Sequence, residues 1–113
     1  MAARNKLLKS PPYPVEQALK HLGENLRTAR VRRKITIADA AERIGTGARA
    51  IMDAEKGKTS TGIAIYAALL WLYDLLQPLD NLADPAKDRE GLSLELTKTR
   101  ARARKAKGIN SDF

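Results

Sequence analysis

The sequence predicts an all-α chain of five short helices, and three observations lead there. Hydrophobic residues make up 43% of the chain but aromatics only 4%, so Leu, Ile and Ala must do the packing; these favour helices, and strand-type aromatics are scarce. Apolar positions recur at three- and four-residue steps, the spacing of one helix face. Gly, Pro, Ser, Thr and Asp fall between those stripes, where helices start and stop. At 113 residues the chain has room for one modest core plus tails.

Residues 1–13 read as a loose arm. Ser10-Pro11-Pro12-Tyr13-Pro14 resists helix, because each proline lacks an N–H and pushes its predecessor toward extended geometry. A compact domain is expected over 14–83. Its first helix spans about Val15–Val31, with Val15, Leu19, Leu22, Leu26 and Ala29 in one stripe and Gly23 weakening it slightly. Thr36 is an N-cap, with Asp39 three residues on as a carboxylate capping box. It opens a helix of about Ile37–Ile44 that stops at Gly45. A third helix follows at about Ala48–Lys56, with Ala50, Ile51 and Ala54 inward and Gly57 as its stop. The fourth covers about Gly62–Tyr73. The fifth covers Asp74–Leu82, where Pro78 imposes strain or a kink. Residues 84–113 read as a weakly helical, basic tail. It begins at the Asp84-Pro85 cap, is interrupted at Gly91, and has no fixed structure of its own from Lys98 onward.

The charge is distributed unevenly. Residues 1–34 carry nine Lys/Arg against two Glu, residues 98–107 carry six bases and no acid, and residues 35–97 carry six bases and ten acids, within a net charge of +8. Such basic ends suit a polyanion, since each cation at a phosphate releases condensed counterions; solvated, solubilising tails would look the same. Without cysteine there is neither a disulfide framework nor a cysteine metal site. No transmembrane stretch or signal peptide is apparent, so a cytoplasmic, nucleoid-associated protein without cofactor or metal is expected.

The informative stretch is Leu26–Ser60: an arginine-rich helix, a short helix, a three-residue turn holding Gly45, and a second short helix ending Glu55-Lys56-Gly57-Lys58. Two short helices across so tight a turn can project the second into a groove about as wide as a helix; an ordinary helical hairpin has the same outline. Leu26-Arg27-Thr28-Ala29-Arg30, Ile35-Thr36, Ala40-Ala41-Glu42-Arg43-Ile44-Gly45, Ile51 and Glu55-Lys56-Gly57-Lys58 resemble the helix-turn-helix of XRE/Cro-type repressors over residues 22–76. The resemblance implies a lambda-repressor-like fold that binds double-stranded DNA at an operator palindrome. It also implies an Arg30–Glu55 ion pair that locks the first helix to the recognition helix.

Under that resemblance Thr46, Gly47, Ala48, Arg49, Met52 and Asp53 face the bases. Arg49 is the main candidate, because its planar fork can hold guanine O6 and N7 together. Asp53 either accepts from cytosine N4 or pairs with Arg49 within the chain. Ala48 and Met52 offer apolar contact only, so the surface is poor in donors and shape readout is expected to contribute. Phosphate contacts are expected at Arg33, Lys34, Thr36 and Ile37, and at Lys58, Thr59 and Ser60.

One short helix reads too few base pairs for useful affinity, so a two-fold dimer is expected. Trp71, Leu72, Leu75, Leu76 and Leu79 supply the surplus apolar surface for it; a monomer with a larger core would use the same residues. Leu82-Ala83-Asp84-Pro85, Asp88, Gly91 and the Arg-rich end resemble antitoxins of the HipB type. That implies a HipA-type serine/threonine kinase toxin as partner and repression of a shared promoter. A phage- or plasmid-type regulator without a toxin, or a non-specific basic nucleic-acid module, are the competing classes. His21 stands alone, and Gly45-Thr46-Gly47 lacks the third glycine and preceding strand of a phosphate loop, so no enzyme is expected.

Overall fold

The computed structural model describes residues 5–111, with side chains described for 5–105. The helices are α1 (Lys6–Lys9), α2 (Tyr13–Arg32), α3 (Ile37–Ile44), α4 (Ala48–Glu55), α5 (Ile63–Leu72), α6 (Gln77–Asp80) and α7 (Arg89–Ser111), with a 3-10 turn at Pro85–Lys87 and no strand among the described residues. Contacts divide the chain into two compact units, Met1–Leu79 and Asp80–Phe113. No helix among the described residues is long and apolar enough to cross a membrane.

Among the described residues seven helices stand where five were expected. One addition is α1, inside the segment read as a loose arm; Asn5 caps it by accepting from the Leu7 N–H at 2.9 Å. The start of α2 lies two residues earlier than expected, because Pro14 sits in the first turn, where its missing N–H costs nothing. The expected fifth helix shrinks to the four residues of α6, with Pro78 in its first turn and no kink required. The last is α7, which runs without a break through Gly91 and the arginine-rich stretch.

α2, α3, α4 and α5 all end in the same way. The N–H of Ile35 bonds to Arg30 O, Thr46 to Ala41 O, Lys58 to Asp53 O and Leu75 to Leu70 O. Each bond closes over a left-handed residue: Lys34 (φ 56°), Gly45 (φ 80°), Gly57 (φ 68°) and Asp74 (φ 61°). This is the Schellman stop, which satisfies otherwise orphaned carbonyls. Asp74 explains the shortened fifth helix. It turns the chain out of α5 where the sequence suggested a fresh start.

The core of the first unit is Leu26 and Ala29 from α2, Ala40 and Ala41 from α3, Ile51 and Ala54 from α4, and Tyr66 and Leu69 from α5 with Tyr73 just beyond it. Small alanines let α3 and α4 approach closely, and burial of each large side chain is worth about 2 kcal/mol. Gly23 does more than weaken α2. A Cβ there would lie 2.6 Å from the Ala54 and Glu55 carbonyl oxygens, and one at Gly57 would lie 2.5 Å from Leu19 O. The backbone of α2 therefore rests directly on the end of α4, through two glycines from opposite sides.

The second unit is held by local caps. Asp84 Oδ1 accepts from the Ala86 N–H at 3.0 Å, and Asp88 Oδ1 accepts from the Gly91 N–H at 2.9 Å. The second of these caps α7 and carries the helix across Gly91. Beyond it Leu, Arg, Lys and Ala are all strong helix formers, which accounts for order where the alternating Arg-Ala pattern suggested none.

Candidate nucleic-acid interface

α3 and α4 are eight residues each, joined by Gly45-Thr46-Gly47. Thr36 Oγ1 accepts from the Asp39 N–H at 3.0 Å and so caps α3. The capping box is only half made, because the Asp39 carboxylate instead pairs with Arg43 at 3.0 Å along the helix. Gly47 caps α4 with no side-chain hydrogen bond, so the first amides of α4 lack the partner that Thr36 gives α3.

α4 packs against α2, α3 and α5, and one contact ties three segments together. Arg30 donates from Nε to Glu55 Oε2 at 2.6 Å and from Nη2 to Glu55 Oε1 at 3.1 Å. Its Nη1 donates to Ile35 O at 2.9 Å. The side chains are only 11% and 7% exposed. Hydrogen bonding to Glu55 holds the Arg30 guanidinium above its ordinary pKa, against the opposing pull of burial. Such a bidentate, desolvated pair contributes position more than net stability. It fixes the end of α4 against α2 and the entry to α3. Burial likewise pushes the Tyr73 phenol upward, with the Glu55 charge adding to it.

With Ile51 and Ala54 sealed inside, the outer side of α4 stays open at its N-terminal half. Gly47, Ala48 and Arg49 are exposed, while Thr46, Met52 and Asp53 are half-buried. Arg49 makes no ion pair and no side-chain hydrogen bond among the described residues. Asp53 is not its partner: Asp53 Oδ1 lies 3.2 Å from Lys58 Nζ and is itself buried without hydrogen-bond geometry. One carboxylate oxygen is thus engaged within the chain by Lys58, not by Arg49.

The expected phosphate ligands separate into two groups. Lys34 and Ser60 are exposed, and Thr36 keeps its hydroxyl proton to donate because its cap uses only the acceptor side. Ile37 packs its side chain on the core and offers only its amide. Lys58 is exposed but engaged by Asp53, and Thr59 donates its hydroxyl to Leu8 O at 2.8 Å. Arg33 is partly engaged within the chain. Its Nη1 donates to Ala29 O and its Nη2 to Tyr73 O, both at 2.9 Å, with the guanidinium 5.6 Å from the Tyr73 ring centre. The ends of α2 and α5 use two of its five N–H donors, so Arg33 helps to hold the fold while its residue stays exposed.

The Thr59–Leu8 bond brings together residues the sequence did not connect. Lys9, Lys20 and Lys56 line one groove with Lys58, Thr59 and Ser60, alongside Glu16, which pairs with Lys20 at 3.3 Å. This contact spans 51 residues, and no local pattern signals it.

Among the expected dimer residues Trp71 and Leu75 are 63% and 43% exposed. Leu76 and Leu79 are half-buried, and Leu72 packs against the core. Tyr66 and Tyr73 belong to the core.

No protein-family model, curated protein or solved structure matches this chain. The geometry therefore carries the functional argument.

Proposed function

We propose that this chain is a sequence-specific repressor of the XRE/Cro type, reading duplex DNA with the N-terminal half of α4. The observation that carries the reading is Arg49. It is exposed, without a partner among the described residues, on a short helix whose opposite side is buried and whose end is clamped by Arg30–Glu55 and by Gly23. A side chain that must hold two acceptors of one base needs such a rigid base, since a misplaced fork loses one of its two bonds. Backbone contacts then come from Thr36, the amide of Ile37, Lys34, Ser60 and the lysines of the groove beside α1. Trp71 and Leu75 supply a two-fold interface that sets the half-site spacing.

Within this class the chain acts as an antitoxin that binds a HipA-type kinase and represses their common promoter. Support for that finer reading is the Leu82–Pro85 run, Asp88, Gly91 and the arginine-rich end. Co-purification of a kinase-sized partner separates it from a regulator without a toxin. The principal test compares binding to the chain's own promoter with binding to random duplex of equal length. A clear preference for the promoter is expected. Equal affinity with a steep salt dependence would reduce the chain to a non-specific basic module.

A further inference from the structure

Helical order in the basic stretch gives it a geometry that charge alone did not. Lys98, Arg100, Arg102, Arg104 and Lys105 are all exposed on α7, and none has an ion-pair partner among the described residues. At about 100° per residue, Lys98, Arg102 and Lys105 share one row. Arg100 and Arg104 form a second, about 150° away. One side between the rows carries Ala101, the other Thr99 and Ala103.

We propose that this half of α7 binds duplex DNA by lying in the major groove, its two cation rows meeting the phosphates that border the groove on either side. A helix is about 10–12 Å across with its side chains, and the groove is about 12 Å wide. Alanine between the rows lets the backbone come close to the base edges without reading them, so the contact is to phosphate and independent of sequence. Lys98/Arg102 and Arg100/Arg104 are like-charge pairs at four-residue spacing, an arrangement that destabilises an isolated helix and that flanking phosphates relieve. Between Leu96 and Ala106, residues 97–105 hold only Ala and Thr beside the cations. A helix lying in a bilayer surface needs Trp, Phe or Leu along its inner face, so the chemistry favours nucleic acid over lipid. The deep, narrow major groove of A-form RNA does not admit a helix, which favours DNA.

This inference stands apart from the use made of α4, and its test uses random-sequence duplex, where base reading contributes nothing. Binding by the full-length chain is measured against salt for the native protein, for K98Q/R102Q/K105Q, for R100Q/R104Q, and for Ala101→Pro. The two glutamine sets should flatten the log–log salt slope by about 3 and about 2, with helicity by circular dichroism retained. Ala101→Pro leaves every charge in place but breaks the helix, and should lose most of the affinity that the five cations supply. Native-like binding by Ala101→Pro would overturn the proposal in favour of an unstructured cationic tail. So would equal or tighter binding to duplex RNA of the same length, or preferential binding to phosphatidylserine-containing vesicles. Failure of the α4 reading looks different: the native chain would show no promoter preference, while the α7 variants still weakened random-duplex binding.

Discussion

From α2 to the end of α5, nine hydrophobic side chains are buried in one cluster, whereas none of the described side chains along α7 is buried. Both stretches are helical, for opposite reasons. α3 and α4 are eight residues long, too short to persist alone, and they exist because Ala40, Ala41, Ile51 and Ala54 seal them together. The 23 residues of α7 have length, propensity and an aspartate cap, but no core. The difference bears on function. A helix held by packing can present one arginine at a fixed place, as base reading requires, while one held only by local terms can adapt along a phosphate backbone.

The largest effect should come from breaking the clamp that makes α4 rigid. Arg30→Ala leaves the Glu55 carboxylate buried and uncompensated, and should lower stability by about 3 kcal/mol in denaturant melts. Replacing both partners, as R30M/E55L, should cost clearly less than either single change. Additive losses would mean that the two side chains are not coupled and that no clamp joins α2 to α4. On the α7 side of the comparison, Asp88→Ala should remove only the cap, about 1 kcal/mol of local helix stability, read as a drop in helicity.

The smallest effects concern the stops. Lys34 and Asp74 hold left-handed backbone at φ 56° and 61°, a conformation that costs a side-chain-bearing residue about 1 kcal/mol. Lys34→Gly and Asp74→Gly should each recover part of that as a higher melting midpoint, offset by the greater freedom glycine has when unfolded. A lower midpoint at both would mean that these side chains contribute interactions of their own.

Those two residues also show where the sequence was legible. Gly45 and Gly57 announce helix ends because glycine tolerates positive φ. Lys34 and Asp74 make the same stop without that mark, so the sequence placed the start of a fifth helix at Asp74, where the chain instead turns out of α5. Apolar spacing marked the core face of each helix, since burial leaves a periodic trace. Gly23 left none, because a close approach of two backbones depends on what the other helix places opposite, here the Ala54 and Glu55 carbonyls. The same holds for Arg33, whose partner Tyr73 lies 40 residues away, and for the arm pinned at Leu8. α7 was under-read because alternating Arg and Ala looks like low complexity, although each residue is a good helix former.

Whether the open half of α4 reads bases, as proposed, is decided by substituting Arg49. Arg49→Ala should weaken binding to the chain's own promoter by about tenfold or more, corresponding to the loss of one bidentate base contact, while random duplex loses far less. Equal losses on the two duplexes would contradict the account, because Arg49 would then serve as a phosphate cation and α4 would specify nothing.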